Sequence, residues 1–560
     1  MNEVTALPLT SAEQARQYRQ CGIWPDVTLF EYFRRAAIRS PDKCAIVDTK
    51  RSYTYRELLA TVEALSDALH AAGVRQGDVI AVQLPNWAET PISHLAANRI
   101  GALAMPIHDS WREAELQHLL ERSGAVAAIV PSRYKDIDYP KLYTELRGGL
   151  PALKRVFSIG APNAHSEPFE QLTAAHGKTQ VTPILRDADA PGALMLSSGT
   201  TSMPKISVYS SNDLLALLSP FWKRIRLSAG DVAAALAPAG TGAIGYVYPI
   251  LSPLLNGATS IILEKWGEPE EAVDLILRYR CTYATGVPAQ LTQMLPAVKS
   301  HKIEEFAHFR CFTNAGAPLP RSVGEEIERH MDCRIFCIYG ATDGGVASCT
   351  DIDDSQEQRL TTVGRAQDGT EIRLVDALDR PVASGESGEI QFRTAGKSHG
   401  YLNDPAATAA AFTADHFYRT GDLGVIDTVG YLRITGRARD MIIRGGRNIS
   451  PALIEEMVSK HPAVMEVAVA AYPDATLGER ACAFVTQKPG EQLTFDALIA
   501  FLKSQRMPTW QLPERLEVMT ELPRSAGGKV MKNKLREYIA EKLNAEPERA
   551  ASPTTAANAA

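Results

Sequence analysis

The sequence has no run approaching the roughly 18 consecutive apolar residues that a membrane-spanning helix requires, so no membrane insertion is expected. Its N-terminal stretch, MNEVTALPLTSAEQARQYRQ, lacks the apolar core of a secretory signal. Charge of neither sign dominates: 59 Lys and Arg against 65 Asp and Glu leave a formal net charge of −6 in 560 residues. Without a basic excess there is no electrostatic footprint for nucleic acid or an anionic membrane. Cysteine is sparse, eight residues with no C-x-x-C pair, which fits reduced thiols rather than a disulfide or zinc framework. Cys333 and Cys337 lie four apart with no His at ligand spacing, and read as core or surface thiols. Internal repeats are missing, as is the GK(S/T) of a Walker loop; Lys529 follows Gly528 but precedes Val530. These absences predict a soluble, cytoplasmic protein, monomeric or homodimeric.

What is present is an ordinary globular composition, 45% hydrophobic and 22% charged, at a length that requires two or more packed cores. Up to about residue 435, stretches of helical period such as YRELLATVEALSDALHAAGV (55–74) alternate with short β-rich runs such as DVIAVQL (78–84). That alternation predicts α/β layers with mostly parallel strands. From 387 the texture shifts to short strand candidates between Gly, Asp and Asn turns, GEIQFR and GVIDTVGYLRITG, predicting a β-rich subdomain. After GRARD (436–440), the segments SPALIEEMVSKHP, VMEVAVAAYP, ERACAFVTQ and FDALIAFLKSQ read as helix, strand, strand, helix. The expected fold class is therefore α/β. A large N-terminal domain over 1–439 would combine layered α/β subdomains with the β-rich one, followed by a small mobile α+β C-terminal domain over 440–543. The closing EPERAASPTTAANAA has no bulky apolar residue, and a disordered tail is expected over 544–560.

The most informative segment is ALMLSSGTTSMPK (193–205). An apolar strand candidate runs into six small hydroxylated or glycine residues, then Pro204 and Lys205. Such a loop offers backbone N–H groups, hydroxyls and an ammonium to an anion. It is also the composition of a polar surface turn. The segment resembles the (S/T)SGTTGxPKG signature of the adenylate-forming superfamily: acyl-CoA synthetases, aryl-acid–AMP ligases, peptide-synthetase adenylation domains and luciferases. Further blocks stand in that family's order. NAGAPLP (314–320) resembles GGAPL, IYGATD (338–343) resembles YGxTE, and YRTGDL (418–423) matches outright. GRARDMIIRGGRNISP (436–451) resembles GRxKDxIKxGGxNIxP, and PRSAGGKVMKNKLR (523–536) resembles PKTxxGKIxRxxLR. SYTYRELLATVEALSDALHAAGVRQGD resembles the family's opening helix, so the likeness runs over roughly residues 25–540.

The resemblance implies transfer of AMP from ATP to a carboxylate, then transfer of the acyl group to a thiol. That chemistry brings two anions together and needs cations and N–H donors where charge builds up. By motif position, Ser198, Gly199, Thr200, Thr201, Lys205 and Thr342 would meet the ATP phosphates. Ala315, Gly316, Ala317 and Pro318 would contact adenine through backbone, with Tyr339 stacked on it beside Gly340; an aromatic there is otherwise ordinary core. Asp422 would accept hydrogen bonds from the ribose hydroxyls or simply cap its own tight turn. Arg437 would reach ribose or phosphate, or form a surface salt bridge. Lys529 is the implied catalytic residue, its ammonium spanning carboxylate oxygen and α-phosphate. Asp440 is the implied hinge between two half-reactions. In the second, Arg444, Gly445 and Gly446 would line the pantetheine arm, unless the glycine pair only makes a β-turn. ATP, Mg2+ and coenzyme A are the implied cofactors, with a carrier protein arriving in trans as the alternative acceptor.

Departures from the family pattern bear on this. Ser202 and Ile206 replace the glycines flanking x-P-K, and Asp343 replaces the Glu that binds Mg2+ in the family. Asp keeps the carboxylate but is one methylene shorter, so a water-mediated metal contact is expected. Gly240, in LAPAGTG (236–242), stands at the usual aromatic or His position. Pocket residues by family position are Gly240, Thr241, Gly242, Gly286, Asn314 and Gly344. Such small linings predict room for a bulky uncharged carboxylic acid, aromatic, alicyclic or medium-chain, with Thr241, Thr285 and Asn314 as neutral polar contacts. The alternative is that the glycines serve backbone turns. The leading expectation is an AMP-forming acid–thiol ligase, an ATP-dependent carboxylate–CoA ligase. An aryl-acid–AMP ligase loading a carrier-protein phosphopantetheine is the close alternative. A degenerate non-catalytic nucleotide-binding homologue, suggested by Ser202, Ile206 and Asp343, is the third.

Overall fold

The computed structural model describes residues 9–174, 187–197, 203–525 and 528–545. The chain forms two compact units. One runs to Ile434 and includes Gly528 and Lys529; the other runs from Thr435 to Ser525 and resumes at Val530.

The larger unit is built around a nine-stranded sheet. Its centre is parallel, in the order Arg334–Ala341, Cys311–Ala315, Tyr283–Gly286, Val232–Ala235, Thr259–Ile262 and Cys44–Val47. Antiparallel strands close both edges, Gly345–Cys349 with Arg365–Ala366 at one and Ser52–Thr54 at the other. Alternate side chains leave on opposite faces, and both faces are buried. Ala233, Ala235, Tyr283, Cys311 and Phe336 join one apolar cluster; Ala234, Ala284, Phe312 and Ile335 join another. Burial on both sides is why these strands read as short continuous apolar runs rather than alternating ones.

A second, parallel sheet takes Leu103–Pro106, Val79–Val82, Ala127–Pro131, Arg155–Ile159 and Glu167–Pro168. The helix Tyr55–Ala71 begins at a capping box in which Thr54 and Glu57 satisfy each other's backbone N–H groups. Strands Pro191–Ser197 and Lys205–Ser210 form an antiparallel pair with Ser197 opposite Lys205. Helix Ser211–Arg224 follows at once, capped by the Ser210–Asp213 box. The β-rich part is a four-stranded sheet of Thr370–Val375, Gly388–Thr394, Tyr418–Ile426 and Leu432–Arg437.

In the smaller unit Val464–Asp474 pairs antiparallel with Gly478–Gln487, and Arg515–Val518 runs parallel beside the latter. The hairpin Ile442–Arg444 with Arg447–Ile449 precedes them, and helices Pro451–Val458, Phe495–Ser504 and Lys532–Ala545 complete the unit. The α/β class, with a large layered part and a small α+β part, is the one the periodicity predicts. Among the described residues no helix is long and apolar enough to cross a membrane.

Candidate active site

Two of the sequence blocks, NAGAPLP and IYGATD, stand at the carboxyl ends of adjacent parallel strands, the side on which open α/β sheets bind ligands. NAGAPLP leaves the end of Cys311–Ala315; Ala315 is half-buried, while Gly316, Ala317 and Pro318 are exposed. Gly316 has φ +90°, and a Cβ built there would lie 3.9 Å from both Val287 Cγ1 and Lys529 Cε. Gly528, φ +77°, points its missing side chain at Val287 Cγ2, 3.4 Å away. The positive φ favours glycine at both positions, and the contacts themselves are of ordinary van der Waals length. Lys529, half-buried, thus stands beside the NAGAPLP loop.

Thr342, Asp343 and Gly344 form the short loop between antiparallel strands Arg334–Ala341 and Gly345–Cys349. Asp343 is enclosed by hydroxyl donors. Ser207 Oγ donates to Oδ1 at 3.2 Å; Tyr401 and Tyr418 donate to Oδ2 at 2.7 and 3.4 Å; the Ser398 hydroxyl donates to the Asp343 carbonyl. Tyr209 donates to the Thr342 carbonyl at 2.7 Å. Burial, with the Asp343 charge adding to it, pushes the Tyr209 and Tyr401 phenols well above their ordinary value, so both remain donors. Lys205 Nζ lies 4.5 Å from the centroid of the Tyr401 ring. Ser207, Ser398 and Tyr401 were not among the residues the motifs single out. Ser207 and Tyr401 stand 136 and 58 positions from Asp343, so no local spacing could reveal them.

The chemistry of this donor set suits Mg2+. The described residues contain no cluster of three His, Cys, Asp or Glu able to cage a metal. A single carboxylate, Asp343, fits an ion that takes its remaining ligands from phosphate oxygens and water.

Ser198, Gly199, Thr200, Thr201 and Ser202 lie outside the described residues. Ile206 is buried in an apolar cluster and pairs with Leu196, so its replacement of a family glycine has a packing reason.

Tyr339 is buried in a cluster with Ala347, Ile390, Phe392 and Leu432, and its hydroxyl donates to Asp422 Oδ2 at 2.8 Å. Asp422 sits within the strand Tyr418–Ile426 rather than in the expected tight turn; the φ of +67° at Gly421 bends the strand instead. Gly340 is required by its neighbours, since a Cβ would lie 2.3 Å from the Gly345 carbonyl oxygen.

In the smaller unit Arg437 is half-buried at the end of its strand. Asp440 closes the short turn Ala438–Asp440 and pairs with Arg536 at 3.0 Å. Arg444 donates to the Trp510 carbonyl at 3.0 Å and pairs with Glu514 at 2.6 Å. Gly445 and Gly446, φ +55° and +78°, make the two-residue turn whose hand matches strand twist. The glycine pair is therefore needed by the hairpin itself.

At three of the expected pocket positions protein atoms face the side where a Cβ would stand. A Cβ at Gly240 would lie 2.5 Å from His108 Cα; at Gly344, 2.5 Å from the Tyr418 ring; at Gly286, 3.1 Å from Phe312 and Gln290. Their smallness admits these neighbouring atoms on that side. Gly242 differs: φ is +76°, and among the described residues the nearest atoms to a Cβ there are those of the Thr342 side chain, at 3.9 Å. Thr241 and Thr285 donate their hydroxyls to the Pro238 and Ile244 carbonyls at 2.6 and 3.0 Å. Asn314 keeps a buried Oδ1 with no donor among the described residues.

Comparison with known proteins agrees with this arrangement. Residues 33–402 match the family model of the AMP-binding enzyme, and 453–529 match that of the AMP-binding enzyme C-terminal domain. The chain is 33% identical to a medium-chain fatty-acid–CoA ligase of Escherichia coli over 96% of its own length and 94% of the relative's. It is 30% identical to a 2,3-dihydroxybenzoate-AMP ligase of Bacillus subtilis, covering 95% and 97%. The ATP-bound crystal structure of MatB from Rhodopseudomonas palustris superposes with a TM-score of 0.83 at 25% identity, covering 92% of this chain and 100% of that one. The protein belongs to the AMP-binding enzyme family and is an adenylate-forming ligase that uses ATP.

Proposed function

We propose that the protein is an ATP-dependent carboxylate–CoA ligase that forms an acyl-AMP and then an acyl-CoA thioester. The observation that carries this reading is Lys529 beside the NAGAPLP loop, in the unit that also holds Asp343, Lys205 and the Tyr339–Asp422 pair. Lys529 would bridge the attacking carboxylate and the α-phosphate, offsetting charge where it develops. Lys205 and Thr342, with Ser198, Gly199, Thr200 and Thr201, would bind the phosphates. Asp343 would hold Mg2+, which when bound neutralises phosphate charge. Asp422 would receive the ribose hydroxyls, with Arg437 reaching ribose or phosphate. Asp440 would be the hinge that brings the hairpin of Arg444–Gly446 to the thiol. Residues 1–439 and 440–543 would be the two moving bodies.

With the glycine argument weakened, the bulky uncharged acid rests on relatives named for a medium-chain fatty acid and for 2,3-dihydroxybenzoate. The second of these also supports the other reading, an aryl-acid–AMP ligase that loads a carrier phosphopantetheine. Enzyme, ATP and a panel of medium-chain and aromatic acids, with and without coenzyme A, separate the two. CoA-dependent AMP release with a thioester product is expected. Acid-dependent pyrophosphate exchange without thioester supports carrier loading, and no exchange with any acid supports a degenerate homologue.

A further inference from the structure

Tyr401 touches two groups of opposite charge that the proposed function directs at the triphosphate. Its ring lies against the Lys205 ammonium, 4.5 Å from centroid to Nζ, and its hydroxyl donates to Asp343 at 2.7 Å. The side chain is buried, 7% exposed, so it has little freedom to adopt another rotamer. Its backbone is pinned as well: the N–H donates to Thr408 Oγ1 at 2.9 Å, and the residue bridges to Ser207, whose own hydroxyl meets the other Asp343 oxygen. Gly400 before it has φ +92°, and a Cβ there would lie 2.5 Å from Thr408 Cγ2.

A cation against the ring face and an anion on the hydroxyl are both favourable contacts, and one rigid side chain makes them together. We propose that Tyr401 is a positioning residue that sets the separation of Lys205 and Asp343, and thereby the geometry in which metal and phosphate are held. The inference rests on the roles assigned above to Lys205 and Asp343. An Asp in the loop reaches one methylene less far than a Glu, and an anchored shorter arm depends more on what orients it.

The test uses Mn2+ with α,β-methylene-ATP on the full-length protein, the bound ion being counted by electron paramagnetic resonance. A parallel titration measures ATP binding in excess EDTA. Removing the hydroxyl alone, Tyr401→Phe, is expected to weaken Mn2+ binding about tenfold, the usual size of losing an outer-shell hydrogen bond. ATP binding in EDTA stays unchanged, because the ring still faces Lys205. Tyr401→Leu is expected to weaken both. A purely structural role would not split the two measurements. Wild-type or tighter Mn2+ binding by Tyr401→Phe, with binding lost in Asp343→Asn, overturns the positioning role. Unchanged Mn2+ binding in Asp343→Asn overturns the metal role of Asp343 itself, and the inference with it.

Discussion

Gly240→Ala separates two explanations for a glycine at a position where the family carries a larger residue. The added methyl would lie 2.5 Å from His108 Cα, 2.7 Å from its backbone N and 3.1 Å from its Cβ. Two of these are backbone atoms of a buried segment. The His108 carbonyl accepts a hydrogen bond from Gln83 Nε2 at 2.9 Å, and Gln83 is fully buried. On the other side Ala239 N–H donates to the buried Asn86 Oδ1 at 2.6 Å. Neither backbone can retreat without breaking one of these bonds, so overpacking of about 1–3 kcal/mol is expected. With m near or above about 2 kcal/mol/M, the urea midpoint falls by up to about 1.5 M. Fluorescence-monitored urea unfolding and kcat/KM over an acid panel are the paired assays. Loss of stability without a change in acid preference is expected. An unchanged midpoint with a shift toward smaller acids would refute the packing argument and restore Gly240 as open pocket space.

Lys529→Ala should lower acid-dependent pyrophosphate exchange by about 100-fold or more, the scale of removing one preorganised donor to developing charge, while thioester formation from supplied acyl-AMP is largely spared. Equal losses in both assays would contradict a role confined to adenylation. Asp440→Pro should slow thioester formation from acyl-AMP more than it slows pyrophosphate exchange, because it stiffens the turn that ends at the Arg536 ion pair; the ratio of the two rates measures this. His399 pairs with the buried Asp213 at 2.9 Å. Burial works against its charge, with Lys397 adding to that, but the Asp213 carboxylate outweighs them with help from Asp189, and the imidazole sits above its ordinary value. Its stabilising contribution is then fully present at acid pH and fades as pH rises through the raised pKa. The stability gap between wild type and His399→Gln should accordingly be larger at pH 5.5 than at pH 8.5 in urea titrations, and a gap that widens with pH would contradict the pairing.

The alternation of helical and β periods is a local property, and it made the class of fold legible; the capping boxes are local as well, though seen only in the structure. Thr54 with Glu57 and Ser210 with Asp213 are three apart, within one helical turn, so the chain carries those helix starts in its own spacing. The blocks of the site were legible for a similar reason: each is a contiguous loop whose backbone must take a particular shape. Two details were not. Asp422 reads as a turn residue because Gly and Asp adjoin, and it stands in a bulge of the strand Tyr418–Ile426, between Arg419 and Leu423, which pair with Gln391 and Glu389. Gly240, Gly286 and Gly344 read as open space, and which protein atoms face each missing Cβ was not visible in the sequence.

Taken alone, the order of residues determined the α/β layering, the family and the loops that carry chemistry, since periodicity and motif blocks act over a few neighbouring positions. Only the tertiary structure decided which side chains support those loops. The hydroxyls on Asp343 come from strands and turns far away in the chain, and the ring beside Lys205 comes from beyond residue 400. Such contacts are set by how sheets stack and strands register, where hydrogen bonds and burial are satisfied across the whole molecule, and no short stretch of sequence records that outcome.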